Sequence, residues 1–390
     1  EWGMMTTENN GIMHLTCPYY YAQPAPDNKD DDDWVMPTEA TLIANGVAAP
    51  YSGVWRAWSK DYNQLYYNPE ITYAPWPGVN ESGVPYTNAS PTAALYNPFS
   101  PGDGSLNLTI DTSYVTDYCP GGLAPLTVDN FYPARYNIWI DSDADGVVDD
   151  TDAHTLIEIK ATTLTYAGGP NRRDCAAAPV CTYAEEIQNF ANWFSYYRKR
   201  ASVAKAAYGQ VIAGASNARV GLVTLHDNGN VDTEIKSMNP SPTAGDKRTV
   251  LDNLFSGYGS GNTPLRDNFN EAGKYLSCES NDYFSACPAL PAGSGGECQQ
   301  NFTILMTDGY YNGSFDGSLG NTDGNDDTKW DSGTAGPYGD NETKTLADIA
   351  MEYYENDSRP GVDNNLRPPP GGIDENTAQH MVTYSVAFGV

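Results

Sequence analysis

Twelve residues constrain this chain more than any other stretch: Asp141-Ser142-Asp143-Ala144-Asp145-Gly146-Val147-Val148-Asp149-Asp150-Thr151-Asp152. Carboxylates stand at positions 1, 3, 5, 9 and 12, a glycine stands at 6 where the chain must turn sharply, and Val147 offers its backbone carbonyl at 7. One chain wraps a hard cation with about seven oxygens by this spacing, that of an EF-hand calcium loop. The candidate ligands are therefore Asp141, Asp143, Asp145, Val147, Asp149 and Asp152. Asp152 replaces the longer Glu usual at position 12, which strains or forfeits a bidentate bond. Carboxylates packed this closely repel one another strongly without a counter-ion, so calcium is the implied cofactor and a solvated acidic turn the plain alternative. Residues 136–140 and 155–159 alternate as strands. An isolated calcium loop that stabilises the fold is therefore expected, rather than a paired regulatory sensor.

The charge balance agrees with bound cations. Fifty acidic residues against 21 basic ones leave a net charge of -29, a field that repels nucleic-acid phosphates and anionic lipid. A soluble, acidic secreted surface explains the same excess. No apolar run approaches the roughly 18–20 residues of a membrane span. No signal peptide stands in the sequence, so a leader is expected to have been removed or to lie outside this stretch. At 390 residues the chain can bury a core. Seven cysteines lie in turn-rich segments without zinc spacing, which favours disulfides and an oxidising compartment. Cys175 and Cys181 flank a short loop that a disulfide could close. Of Cys278, Cys287 and Cys298 only two can pair with each other, and Cys17 and Cys119 complete the odd set.

Three segments follow. Residues 1–135 read as a variable loop region rich in Tyr, Pro and Gly, with 28 tyrosines in the whole chain, broken by runs such as Pro75-Trp76-Pro77-Gly78. Its acidic run at 30–33 reads as solvated coil, and 105–110 is a possible strand. Residues 136–182 hold the strand-flanked calcium loop and the cysteine loop. Residues 183–390 read as α/β. A capping box at Thr182-Tyr183-Ala184-Glu185 opens a helix whose apolar spacing continues to about residue 213. Strands are expected at 220–225, 302–306 and 382–388, with helices at 265–276 and 345–354. Short apolar strands alternating with helices predict a parallel sheet covered on both faces.

Two further motifs carry ligand chemistry. Gly261-Asn262-Thr263-Pro264-Leu265 places a hydroxyl at a helix start, and Met306-Thr307-Asp308-Gly309 places a carboxylate at a strand's carboxyl end, where open α/β sheets bind ligands. Thr263 and Asp308 together suit magnesium. Asn321-Thr322-Asp323-Gly324-Asn325 alternates like a ligand run but completes no loop, so Asn321, Asp323 and Asn325 are candidates for a second calcium, with a polar surface loop the simpler alternative. The four histidines, His14, His154, His226 and His380, are scattered, and no Walker or dinucleotide glycine motif occurs, so no enzyme is expected.

The Thr263 and Asp308 segments resemble the second and third parts of the metal-ion-dependent adhesion site of von Willebrand factor A domains. The resemblance implies that Thr263 binds the ion directly and Asp308 through water. The first part, Asp-x-Ser-x-Ser on the first strand, is not in this sequence, and Glu1-Trp2-Gly3 is what is expected just after it. The stretches at 189–198, 345–351 and 380–386, and the acidic loop before His154-Thr155, resemble PilY-type type IV pilus proteins, densely from about residue 136 onward and thinly before it. That resemblance implies a von Willebrand A-like (Rossmann-type) parallel sheet flanked by helices, lacking its first strand within this sequence and carrying 1–182 as a large insertion. It also implies a secreted, non-enzymatic adhesion and biogenesis protein at the pilus tip. Its partners would be minor pilins and a host or abiotic surface, and a C-terminal propeller expected of the family is not in this sequence. A structural subunit of an extracellular filament is the rival expectation.

Overall fold

A computed structural model describes residues 58–115, 127–148, 152–225, 232–257, 263–307, 311, 313–315, 317–324, 339–367 and 374–387. The acidic run at 30–33, Cys17, Cys119, His14, Asp149, His226, Asp308 and Asn325 lie outside the described residues. The chain divides into two compact units, Glu1–Ser216 with Asn239–Ser256, and Asn217–Met238 with Gly257–Val390. These units are not the segments read from the sequence, because the helices from 183 to 214 pack with what precedes them. Among the described residues the strands form six two-stranded sheets.

In the first unit, β1 (Ala94–Leu95) pairs with β2 (Ser105–Leu106), and β3 (Thr112–Val115) with β4 (Thr127–Phe131). The hairpin β5 (Arg135–Ile140) and β6 (Ala153–Glu158) follows, then β7 (Thr165–Ala167) with β8 (Val180–Thr182), all antiparallel. Cys175 and Cys181 are disulfide-bonded beside β8. Helix α1 (Tyr183–Tyr196) starts at the expected box, Thr182 N–H donating to Glu185 Oε2 at 2.7 Å and Glu185 N–H to Thr182 Oγ1. Ile187, Phe190, Ala191, Trp193 and Phe194 are buried, and so are Glu186, Asn189 and Asn192.

Those polar residues organise the irregular chain around α1. Residues 58–93 contain no strand, so their buried amides need partners from elsewhere. Asn189 accepts from Tyr73 N–H at 2.8 Å and donates to Ile71 O at 2.9 Å. One turn on, Asn192 accepts from Ala89 N–H and donates to Tyr73 O, both at 2.9 Å. Tyr67 packs against Phe190 and Tyr136, with centroids 4.9 and 5.5 Å apart, and its hydroxyl donates to Glu186 at 2.8 Å. The fully buried Glu186 also takes Arg172 Nη1 at 2.8 Å, and Arg172 forks onto Asp174.

The single helix expected to residue 213 is two helices. Tyr197 leaves helical geometry at φ -136°, and the Arg198 guanidinium turns back to the Phe194 carbonyl while also reaching Tyr96 O at 2.7 Å. By answering a terminal carbonyl, Arg198 closes α1, and α2 (Arg200–Gly214) starts afresh. Helix α3 (Gly245–Ser256) was not anticipated, although Val250, Leu251, Leu254 and Phe255 form its buried stripe. Phe255 stacks on Trp76 at 4.8 Å. Each of these two helices sends a buried lysine to the carbonyl end of the other: Lys247 Nζ donates to Ala213 O and Ala215 O, and Lys205 Nζ to Phe255 O at 2.7 Å.

In the second unit, β9 (Arg219–Leu222) and β10 (Thr233–Ser237) form an antiparallel pair, so the strand expected at 220–225 ends early. Helix α4 (Leu265–Leu276) begins after Pro264, and α5 (Leu346–Glu355) begins at a capping box between Thr345 and Asp348. A Cβ on Gly273 of α4 would overlap the Tyr353 ring, so glycine permits the approach of α5. The Tyr353 hydroxyl donates to Asn270 at 3.0 Å. Strands β11 (Asn301–Thr307) and β12 (Met381–Ala387) pair in parallel, Asn301 opposite Met381 through Thr307 opposite Ala387, with α5 between them in sequence. Phe269, Leu276, Phe315, Ile349, Tyr353 and Met381 form the core. Cys278 and Cys287 are bonded, and Cys298 is free and exposed.

Two outcomes are expected. Asn189→Leu keeps the volume but orphans Tyr73 N–H and Ile71 C=O, which costs about 2–4 kcal/mol in denaturant unfolding; a loss below about 0.5 kcal/mol would refute the role given to Asn189. Burial pushes the Lys205 ammonium down to about 7, with the Lys199 charge adding to it. The unfolded chain then holds the extra proton between that value and about 10.4, so first-unit stability rises with pH across this window. Lys205→Met removes that rise, which pH-dependent unfolding of the two proteins measures as a difference.

Candidate metal centre

The hairpin β5–β6 sets the geometry of the 141–152 loop. Its register runs to Ile140 opposite Ala153, so the loop leaves and re-enters at adjacent points. Ser142 closes the neck: its hydroxyl donates to Ile140 O at 3.2 Å and accepts from Ala153 N–H at 3.0 Å. Asp152 is held there too, taking Trp139 Nε1–H at 2.8 Å and Ser142 N–H at 2.9 Å. The Trp139 indole and the Ser142 hydroxyl are the contributors that sequence reasoning missed. Only the strand alternation of Trp139 and the place of Ser142 at the neck could have signalled them.

Above the neck the chain coils around its own carboxylates. Gly146 N–H donates to Asp141 Oδ2 at 3.1 Å, Asp145 N–H to Asp143 Oδ1 at 3.3 Å, and Val147 N–H to Asp145 Oδ1 at 2.7 Å. Gly146 has φ 77° and Ala144 φ 61°, the left-handed turns this winding needs. One oxygen from each of Asp141, Asp143 and Asp145 lies within 4.8 Å of the others, and all three residues are exposed. Loop positions 1, 3 and 5 therefore converge. Val147 is exposed beside them, and Asp152 stays in the neck. Three carboxylate oxygens this close form a donor set that suits a hard cation with water in its other positions, and water can also solvate them bare.

The other candidates lie in the second unit. Thr263 stands two residues before the first residue of α4, with Pro264 between, and its carbonyl accepts from Leu265 N–H at 2.8 Å. Asp323 is buried and Asn321 partly so. Burial, then the charges of Asp340 and Asp348, push the Asp323 carboxyl up. The Asp348 carboxyl is drawn below its usual range: burial acts upward, but the N–H groups of Thr345 and Thr322 outweigh it.

Comparison with known proteins gives one consistent relationship. The chain is 28% identical over 376 residues to the type IV pilus biogenesis factor PilY1 of Pseudomonas aeruginosa strain PAK, covering 85% of this chain and 29% of that protein. It is 31% identical over 236 residues to PilY1 of strain PAO1, covering 53% of this chain and 20% of the relative. A third PilY1, from strain UCBPP-PA14, is 25% identical over 368 residues. The chain spans less than a third of the length of each relative. No family model matches the sequence, and no solved structure matches it.

Proposed function

We propose, from the premise that the chain belongs to the PilY-type family of type IV pilus biogenesis factors, that it is the extracellular, calcium-binding adhesion and assembly module of a protein associated with the pilus tip. The observation that carries this reading is the match to a pilus biogenesis factor over 85% of the chain. The bonded pairs Cys175–Cys181 and Cys278–Cys287 suit an oxidising compartment. Among the described residues no helix is long and apolar enough to cross a membrane. Minor pilins at the tip and a host or abiotic surface are the partners this role implies. The module acts by binding and assembly, without catalysis.

Calcium belongs to this reading at the 141–152 loop, where Asp141, Asp143 and Asp145 converge. A von Willebrand A-like core belongs to the second unit. It is supported by the parallel pair β11–β12 with α5 between its strands, and by the start of α4 two residues after Thr263. Asp308 follows Thr307, the last residue of β11. Thr263 and Asp308 would hold magnesium at the carboxyl end of that strand.

Two measurements test the proposal. Gold labelling of a tagged full-length protein on isolated pili should mark the tip in few copies, whereas label along the shaft would make it a filament subunit. Calcium added to the chelator-treated chain should raise its unfolding free energy by about 2.7 kcal/mol at a hundred times the dissociation constant. Asp143→Asn should abolish the share of that rise that belongs to the first unit, and a first-unit midpoint unchanged by calcium in wild type would remove the loop from the account.

A further inference from the structure

Residues 317–324 of the second unit carry the shorter alternating run, and the structure gives it an environment the sequence does not announce. Asp323 is 1% exposed. Among the described residues neither of its carboxylate oxygens makes a hydrogen bond of normal geometry, and the N–H groups of Asp323 itself and of Asp340 are the weakest of the influences on it. The Asn321 amide is oriented by its Nδ2, which donates to the Asp340 carbonyl at 2.7 Å, and this leaves Asn321 Oδ1 buried and likewise without such a bond. Any side chain at residue 324 would collide with that amide, so Gly324 keeps it packed inward. Three acceptor oxygens from two neighbouring side chains are thus withdrawn from water with no hydrogen bond of normal geometry to accept. Such groups normally find a partner, and a buried carboxylate needs one most.

The surroundings select the sign of the missing partner. Asp348, itself fully buried, sits against the same turn and accepts from Thr322 N–H at 2.6 Å and Thr345 N–H at 2.8 Å. One of its oxygens is engaged by the Thr322 N–H of this turn and the other by the α5 cap, so a second buried carboxylate is held against the run that carries Asp323. Buried carboxylate and amide oxygens two residues apart, with no cationic side chain bonded to them among the described residues, are matched by a hard cation. Carboxylate and amide oxygens mixed in this way are the ligand chemistry of calcium, with water completing the coordination.

We infer that Asn321 Oδ1 and the Asp323 carboxylate form part of a binding site for a hard divalent cation of the calcium class, separate from the 141–152 loop and lying in the other compact unit. The cation converts three orphaned acceptors into ligands and lets Asp323 remain ionised inside the protein. Because Asp348 joins the turn to the first turn of α5, occupancy also fixes the start of that helix. The competing arrangement is a protonated Asp323 donating to Asn321 Oδ1, which needs no ion.

Calcium titration of the full chain by calorimetry separates the two. The background is a chain whose loop is disabled by Asp141→Asn, Asp143→Asn and Asp145→Asn, so that the loop's own behaviour does not enter. This chain should retain one calcium equivalent, Asp323→Asn should abolish it, and Asn321→Ala should weaken it at least tenfold. Absence of calcium uptake by the loop-disabled chain overturns the site, as does uptake unchanged by Asp323→Asn. Should Asp323→Asn fail to fold, Asn321→Ala decides alone, an unchanged affinity counting against the site. Failure of the loop reading looks different: wild type and the loop-disabled chain then bind equal amounts.

Discussion

A chain without regular structure can be packed against a helix only if its backbone amides find partners there. In the first unit two asparagines on α1 provide them. Asn189 and Asn192 stand three residues apart, so their amides face the same way, and each side chain both donates and accepts. They bind Ile71, Tyr73 and Ala89, residues that no strand supports. The aromatic residues complete the arrangement from both sides. Trp76 Nε1–H donates to Tyr196 O, Trp193 Nε1–H to Leu65 O, and the Tyr196 and Tyr197 hydroxyls to Thr87 O and Ala74 O. Each ring buries apolar area while its polar tip satisfies a carbonyl. At these positions the abundance of tyrosine reflects loop pinning rather than an exposed binding surface.

Basic residues follow a related logic. In a chain of net charge -29, several basic side chains are found inside, each against oxygen acceptors. Arg172 reaches Glu186, Asp174 and the Pro69 carbonyl from a fully buried position. Lys205 and Lys247 exchange between the carbonyl ends of α2 and α3. Helix ends expose unpaired carbonyls, and the reciprocal exchange answers both ends with two buried amino groups. For Lys205 that burial shows in its lowered proton affinity.

What the sequence made legible was local. The box at Thr182 names its own partner three residues on, so α1 begins where expected, and the helix expected at 345–354 begins at Leu346. The hairpin around 141–152 announced itself through alternation. What stayed hidden needed contacts distant in sequence. Arg198 ends α1 through its own side chain while also bonding Tyr96, a choice that apolar spacing does not encode. Helix α3 carries its apolar residues in one short stripe among charges, and Phe255 acquires its meaning only against Trp76. The first unit gathers α1, α2 and α3 with residues before 183 because of such contacts, so boundaries drawn from changes in composition fell elsewhere. Asp152 was legible as a ligand by spacing, but its oxygens are held by Trp139 and Ser142 at the neck.

The two acidic runs show how burial reorders a ranking made on spacing. On spacing the 141–152 loop is the stronger, with more carboxylates and a turn glycine in place. Yet its three converging carboxylates are exposed, so water can solvate them, and an ion there mainly relieves repulsion and closes the loop. The shorter run has fewer candidate ligands, but Asp323 is buried and its oxygens make no hydrogen bond of normal geometry. Burial raises the worth of each interaction and also the penalty for leaving one unmade. A cation at Asp323 would replace hydration rather than merely screen charge. The site that sequence pattern ranks lower is therefore the one for which the structure supplies the stronger physical demand.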